Sequence, residues 1–150
     1  MYDHILVAVD GSRHATQAVE VAAEMAQACG SRLSLVHVTR NASFRKLHEE
    51  VAAVERSEHF EFSNTDLLEI VGHDVLAEAE QLARGRGVKQ VDTGTRIGRP
   101  GDEVAEHAEA IGADLIVTGT RGLSDLPGIL LGSVSHRIIH LATVPVLVVR

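Results

Sequence analysis

Tryptophan is absent from this 150-residue chain, and all aromatics together make up only 3%. A stacking platform for single-stranded nucleic acid therefore has almost nothing to be built from. Cys29 is the sole cysteine, which excludes an intrachain disulfide and a thiolate metal cluster. A cationic surplus is also lacking. Lys and Arg number 14 against 21 acidic residues, and the net charge is -7. That balance disfavours a nucleic-acid backbone or an anionic membrane surface as partner. No apolar run approaches the roughly 18 residues that span a bilayer. The segment Met1-Tyr2-Asp3-His4-Ile5 has no basic stretch leading into a long apolar core, so no signal peptide is expected. The expectation is a soluble cytoplasmic protein without membrane insertion.

The common phosphate-binding motifs are missing as well. The chain has neither Gly-x4-Gly-Lys-Ser/Thr nor Gly-x-Gly-x2-Gly. What it has is Gly119-Thr120-Arg121-Gly122, followed after nine residues by Gly132-Ser133-Val134-Ser135. This element follows the apolar run Leu115-Ile116-Val117-Thr118 and opens the apolar-periodic segment Val134, Ile138, Leu141. A strand end, a glycine-bearing loop and a helix start thus adjoin, which is a layout suited to phosphate. Glycine lets the backbone approach an anion, and free N–H groups at a helix start point toward it. Ser133 and Ser135 offer hydroxyls in addition.

At 150 residues, one domain spanning 1–150 is expected. Ile5 to Val9 is a short continuous apolar run, suited to a parallel strand covered on both faces. Asp10-Gly11-Ser12 breaks it, with Ser12 as N-cap. Ala15, Ala18, Val19, Ala22, Ala23 and Ala26 then keep helical spacing, and Gly30 suits the helix end. Leu33 to Val38 reads as the second strand. A polar, mobile excursion over about 39–72 follows, with a helical turn around Lys46 to Arg56. Asp74 to Arg84 reads as a helix, and Val88 to Ile97 as a weak third strand. Gly98-Arg99-Pro100-Gly101 is a turn, and Asp102 is expected to cap the next helix, which ends at Gly112. Leu115 to Thr118 is the fourth strand, Ser133 to Leu141 a helix, and Val146 to Val149 the last strand. Alternating strands and helices predict an α/β three-layer sandwich with a mostly parallel sheet and helices on both faces.

Ligands in such sheets sit at the carboxyl ends of strands, near the point where strand order reverses. Two of those ends are polar here: Asp10-Gly11-Ser12 and Gly119 to Gly122. Asp10 fits two roles, a contact to ribose hydroxyls or a phosphate-bound metal, and a plain helix-entry turn. Arg121 fits a phosphate contact or a solvated loop position.

Taken together, Ile5-Leu6-Val7-Ala8-Val9-Asp10-Gly11-Ser12, Val36-His37-Val38, Gly119-x2-Gly122-x9-Gly132-Ser133 and Pro145-Val146-Leu147-Val148-Val149 resemble the ATP-binding branch of the universal stress protein family. The resemblance runs from one end of the chain to the other. It implies a Rossmann-like fold similar to adenine nucleotide alpha hydrolases, with a five-stranded sheet in the order 3-2-1-4-5. It implies a bound ATP, ADP or AMP, with or without Mg2+, between strands one and four. By position, Asp10 would meet the ribose and Val38 would give backbone hydrogen bonds to adenine. Ala8 and Val9 would line the base pocket. Gly119, Gly122, Gly132, Ser133 and Val134 would cradle the phosphates through backbone N–H groups, with Ser135 close by, and Thr118 and Arg121 complete the expected nucleotide site. Many members have Pro where this chain has Ala8, and His is frequent at the position of Arg121. The implied role is a stress-response signalling module, homodimeric through Val146 to Val149, with at most slow ATP hydrolysis. A dimeric stress protein that binds no nucleotide is the competing expectation.

Other chemistries find less support. His136 and His140 share one helix face, but the Glu of a His-Glu-x2-His zinc site is missing and no third ligand is evident. His37 reads as a satisfied core or pocket-rim histidine, and His48, His59 and His73 as solvated. Ser124 and Asp125 follow Gly122, yet there is no Gly-x-Ser-x-Gly elbow for a hydrolase. Tyr2 is the only tyrosine, which leaves little to sandwich a flavin.

Overall fold

The computed structural model describes residues 1–58, 63–122, 128 and 130–150. Five strands and five helices succeed one another along the chain. They are β1 (His4–Ala8), α1 (Arg13–Cys29), β2 (Arg32–Thr39), α2 (Asn41–Glu58), α3 (Asn64–Gly85), β3 (Val91–Ile97), α4 (Pro100–Ile111), β4 (Leu115–Gly119), α5 (Ser133–Leu141) and β5 (Val146–Val149). The sheet order is β3-β2-β1-β4-β5, as the family resemblance implies. Every one of its four pairings is parallel.

Two apolar layers hold the sandwich. On one face Ile5, Val7, Leu33, Leu35, Leu115 and Val117 meet the alanine-rich side of α1 and the Leu76–Ala79–Ala83 side of α3. On the other, Leu6, Val36 and Ile116 meet Val104 and Ala108 of α4 and Ile138 of α5. The period-two alternation of β1 therefore feeds two cores, so the run reads as continuously apolar. Small residues on α1 let that helix lie close to the sheet. Ala18, Ala22 and Ala23 are fully buried.

The helix ends follow local chemistry. Ser12 is extended and its hydroxyl accepts from Ala15 N–H at 3.2 Å. Such a cap is worth about 1 kcal/mol. Gly30 and Gly112 close α1 and α4 in the left-handed region, with φ of 73° and 66°.

Several boundaries differ from the sequence reading; β1 runs His4–Ala8 rather than Ile5 to Val9, and β2 extends beyond Leu33 to Val38 at both ends, to Arg32 and Thr39. Asp102 is not the cap of α4. Arg99 is the extended residue there, Pro100 opens the helix, and Asp102 sits in the first turn. Its carboxylate instead receives Arg137 Nε at 2.6 Å, tying α4 to α5. The polar stretch 39–72 is largely helical rather than a single turn. It holds the 18-residue α2 and the first part of α3, whose start at Asn64 is fixed by a capping box between Ser63 and Asp66. The third strand starts at Val91, not Val88. The fourth runs on to Gly119. Of the other residues singled out above, His59, Ser124 and Asp125 lie outside the described residues.

Candidate functional site

A cavity of about 380 Å³ opens at the carboxyl ends of β1, β2 and β4. Sheet order reverses between β1 and β4, so the cavity lies where an open parallel sheet binds ligands. Eleven of the twelve residues expected at the site line it: Ala8, Val9, Asp10, Val38, Thr118, Gly119, Arg121, Gly122, Ser133, Val134 and Ser135. Gly132 does not.

The inner wall is apolar. Ala8, Val36 and Val38 from the sheet face Pro100 and Val104 of α4 and Val134 of α5. The polar residues at its mouth include Asp10, Arg40, Ser43, Arg121 and Ser133. An apolar slot with a polar mouth suits an amphiphilic ligand with a flat apolar body and a charged end.

Strand register determines what Val38 presents. Val9 N–H donates to Val36 O at 2.9 Å, so the even-numbered residues of β2 direct their backbone groups toward β1. On the opposite side Gly98 N–H donates to Thr39 O at 3.0 Å, which assigns the odd residues to β3. Val38 therefore points its N–H and C=O toward β1, which has already ended at Ala8. The next carbonyl along, Val9 O, is bonded instead to His37 Nδ1 at 2.9 Å. Val38 is left with an adjacent donor and acceptor facing the cavity and no backbone partner among the described residues. His37 lies at the pocket rim, as expected, with its Nδ1 bonded to Val9 O.

Asp10 sits in the turn between β1 and α1, and its Oδ1 accepts from Ser12 N–H at 2.9 Å. Gly11 makes that turn possible with φ of 80°. Asp10 shapes the helix entry and also lines the cavity.

The glycine-serine element works differently from the expectation. Gly132 is the N-cap of α5, and its N–H donates to Thr120 O at 2.6 Å. That donor is already engaged with the protein. Ser135 is buried, and its hydroxyl reaches Thr120 O at 2.9 Å and Gly132 O at 3.1 Å. It fastens α5 to the end of β4 rather than offering a hydroxyl to a ligand. The N–H groups available to an anion are those of the first turn of α5, which have no acceptor within their own helix. Gly119 also has a packing reason. A Cβ there would lie 2.7 Å from the carbonyl carbon of His14 and 2.8 Å from its oxygen. Glycine at this position lets the start of α1 rest against the end of β4.

Sequence reasoning missed Arg40 and Ser43. Both line the cavity from the start of α2, and only the position of α2 beside the carboxyl end of β2 brings them there. Their signal was proximity to Val38 in the chain. No cluster of three or more His, Cys, Asp or Glu placed to hold a metal ion occurs among the described residues. His136 and His140 are exposed on α5. Nor is any helix among them long and apolar enough to cross a membrane.

Comparison with known proteins agrees with this fold. The universal stress protein family profile matches residues 1–150. The universal stress protein YxiE of Bacillus subtilis is 37% identical over 150 residues, covering all of both chains. A universal stress protein of Thermus aquaticus is 39% identical over 150 residues, again covering all of both. Among solved structures, a universal stress protein in complex with cAMP superposes with a TM-score of 0.72 at 26% identity, over 99% of this chain and 97% of that one. On its sequence and on its fold, this chain belongs to the universal stress protein family.

Proposed function

We propose that the cavity binds an adenine nucleotide, ATP or its ADP and AMP relatives, and that the protein acts as a nucleotide-dependent regulatory module in a stress response. The observation that carries this reading is Val38. An adjacent N–H and C=O at the end of an apolar slot match the acceptor N1 and donor N6 of adenine. The slot between Ala8, Val36 and Val104 takes the flat base. Asp10 meets the ribose, and the first turn of α5 with Arg121 meets the phosphates. The relative in complex with cAMP, an adenine nucleotide, supports the same ligand class.

Binding rather than turnover suits these residues. Asp10 is the one carboxylate among the described lining residues, and one of its oxygens is engaged by Ser12 N–H. His37 is engaged by Val9 O. Both side chains are held by the backbone, and no second carboxylate lines the cavity among the described residues to help activate a water. A Mg2+ ion would take its ligands mainly from phosphate oxygens and water, with Asp10 the carboxylate at hand. Hydrolysis would then run far below the ~10 s⁻¹ of an ordinary enzyme.

We also propose a homodimer through β5. Val146 to Val149 lie at the edge of the sheet and are all half-buried and apolar in the single chain. Pairing with a second copy would cover them.

Isothermal calorimetry of the purified protein with ATP, ADP and AMP tests the site. One adenine nucleotide per chain is expected. Ala8→Phe should fill the base slot and abolish binding while circular dichroism stays unchanged. No binding by the unmodified protein, or equal affinity in a folded Ala8→Phe variant, would reject the assignment.

A further inference from the structure

We infer that the opposite edge of the sheet, β3, is a self-complementary docking strand for a second copy of this chain. Its sequence is Val91-Asp92-Thr93-Gly94-Thr95-Arg96-Ile97. Centred on Gly94, this is a palindrome in chemical type. Antiparallel pairing with itself would place Thr93 against Thr95, Val91 against Ile97, and Asp92 against Arg96 of the second copy. Each ion pair would occur twice, once on either side of the axis.

The backbone register agrees with the side chains. Leu33 N–H donates to Gln90 O at 2.9 Å and Gly98 N–H to Thr39 O at 3.0 Å. The even-numbered residues of β3 therefore bond to β2. The N–H and C=O groups of Thr93 and Thr95 point away from the sheet, at an edge with no further strand among the described residues. In the self-paired arrangement Thr93 and Thr95 become hydrogen-bonded pairs. Asp92–Arg96 and Gly94–Gly94 become the closer, non-hydrogen-bonded pairs. Asp92, Thr93 and Arg96 are exposed. Asp92 is paired with Arg32 and Arg96 with His107 within the chain, so self-pairing would draw these groups into shared clusters across the axis.

The surroundings leave room. An open groove of about 370 Å³ runs along Thr93 to Thr95, walled on α3 by His73, Leu76, Ala77 and Glu80. A Cβ built on Gly94 meets nothing within 4 Å. No proline interrupts the strand, and its charges are of opposite sign and symmetrically placed. Like charges would protect an edge against self-association, whereas this pattern favours it.

The test is a symmetric cross-link. Gly94→Cys in a Cys29→Ser background puts one thiol on either side of the proposed twofold axis. Non-hydrogen-bonded pairs bring Cα atoms within disulfide reach. A bond between those thiols cannot form through β5, so the readout is blind to that interface. Mild oxidation should give a covalent dimer, about tenfold faster than the same oxidation of an Ala77→Cys control. Adding Asp92→Arg to Gly94→Cys should slow cross-linking about tenfold, and adding Arg96→Asp to that variant should restore it. Mixing Asp92→Arg with Arg96→Asp chains should yield the mixed dimer. Circular dichroism of each variant establishes that it is folded. Cross-linking no faster than the control, or a rate indifferent to the signs at 92 and 96, would overturn self-pairing and leave this edge to an extended segment of another protein.

Discussion

Ser135 donates its hydroxyl to the carbonyl of Thr120 at 2.9 Å, from inside the first turn of α5 to the residue just past β4. The same carbonyl accepts Gly132 N–H at 2.6 Å. Two donors on one acceptor fix the direction of α5, and with it the direction in which its free N–H groups point. The serine thus positions the helix start that opens on the cavity.

Ser135→Ala removes one of those donors in a buried setting. Thr120 O keeps Gly132 N–H, so no acceptor is orphaned, and the cost should be about 1 kcal/mol of stability. Chemical denaturation should show it as a lower midpoint at unchanged slope. ATP affinity should fall severalfold with little change for AMP, because only the phosphate end depends on the angle of α5. An unchanged ATP-to-AMP ratio would show that the serine does no more than stabilise.

Gly119→Ala asks a different question of the same strand end. The added Cβ would meet backbone atoms of His14 at 2.7 to 2.8 Å, and backbone cannot swing aside as a side chain does. Overpacking of this kind costs about 1–3 kcal/mol. The melting temperature should drop even without nucleotide present. If Gly119→Ala melts like the unmodified protein and loses only nucleotide binding, the glycine serves the ligand and not the packing of α1.

Much of this was legible in the sequence because the signals were local. Ser12, Gly30 and Gly112 are caps where their residue types predict caps, and the range of α5 follows from Gly132 and the spacing of Val134, Ile138 and Leu141. Asp102 was misread because two signals compete at that helix start. Proline at the first helical position outranks a carboxylate two residues later, and Arg137 claims that carboxylate. The length of α2 was hidden by its polarity. Its apolar stripe, Phe44, Leu47 and Val51, is only half-buried, so it produces a weak pattern among charges. The start of α3 was legible in Ser63 and Asp66 and was overlooked. At the site, residue types were readable but hydrogen-bond partners were not. Nothing in the sequence says that Gly132 N–H is taken by Thr120, or that Arg40 reaches the cavity.

Arg40 and Arg121 should separate by ligand. Arg121 follows β4 next to the start of α5, whereas Arg40 lies two residues beyond Val38, at the end proposed for the base. Arg121→Ala should weaken ATP by up to about 1 kcal/mol, roughly fivefold, and AMP much less. Arg40→Ala should weaken both alike. Added salt should erode the Arg121 effect, since the mouth is open to solvent. Calorimetry with the two nucleotides at low and high salt decides it. Equal losses of ATP and AMP in Arg121→Ala would place the phosphates elsewhere.

Acid should loosen the layer that carries α4. His4, at the start of β1, lies 2.7 Å by its Nε2 from Ser34 Oγ and is also bonded to the backbone of Ile111 at the end of α4. Burial lowers its pKa from the ordinary 6.5, and the Arg32 guanidinium lowers it further, against the opposing pull of Asp92 and Asp114. His107, on α4, lies 2.7 Å by its Nδ1 from Arg96 Nη2. Burial, then Arg96 and His4, hold its pKa down too. Both imidazoles therefore resist protonation in the folded chain more than in the unfolded one. Their stabilising arrangement is complete above the unfolded value near 6.5 and is lost as pH falls from there through the lower folded values. The melting temperature should decline as pH falls below about 6.5, the side on which both lowered histidines take up protons. Nucleotide affinity should decline with it, because Pro100 and Val104 of α4 wall the base slot. His4→Gln and His107→Gln should each flatten the slope of melting temperature against pH in differential scanning calorimetry. A flat profile in the unmodified protein, or an equally steep one in the His4→Gln, His107→Gln double variant, would show that these two histidines are not what acid acts upon.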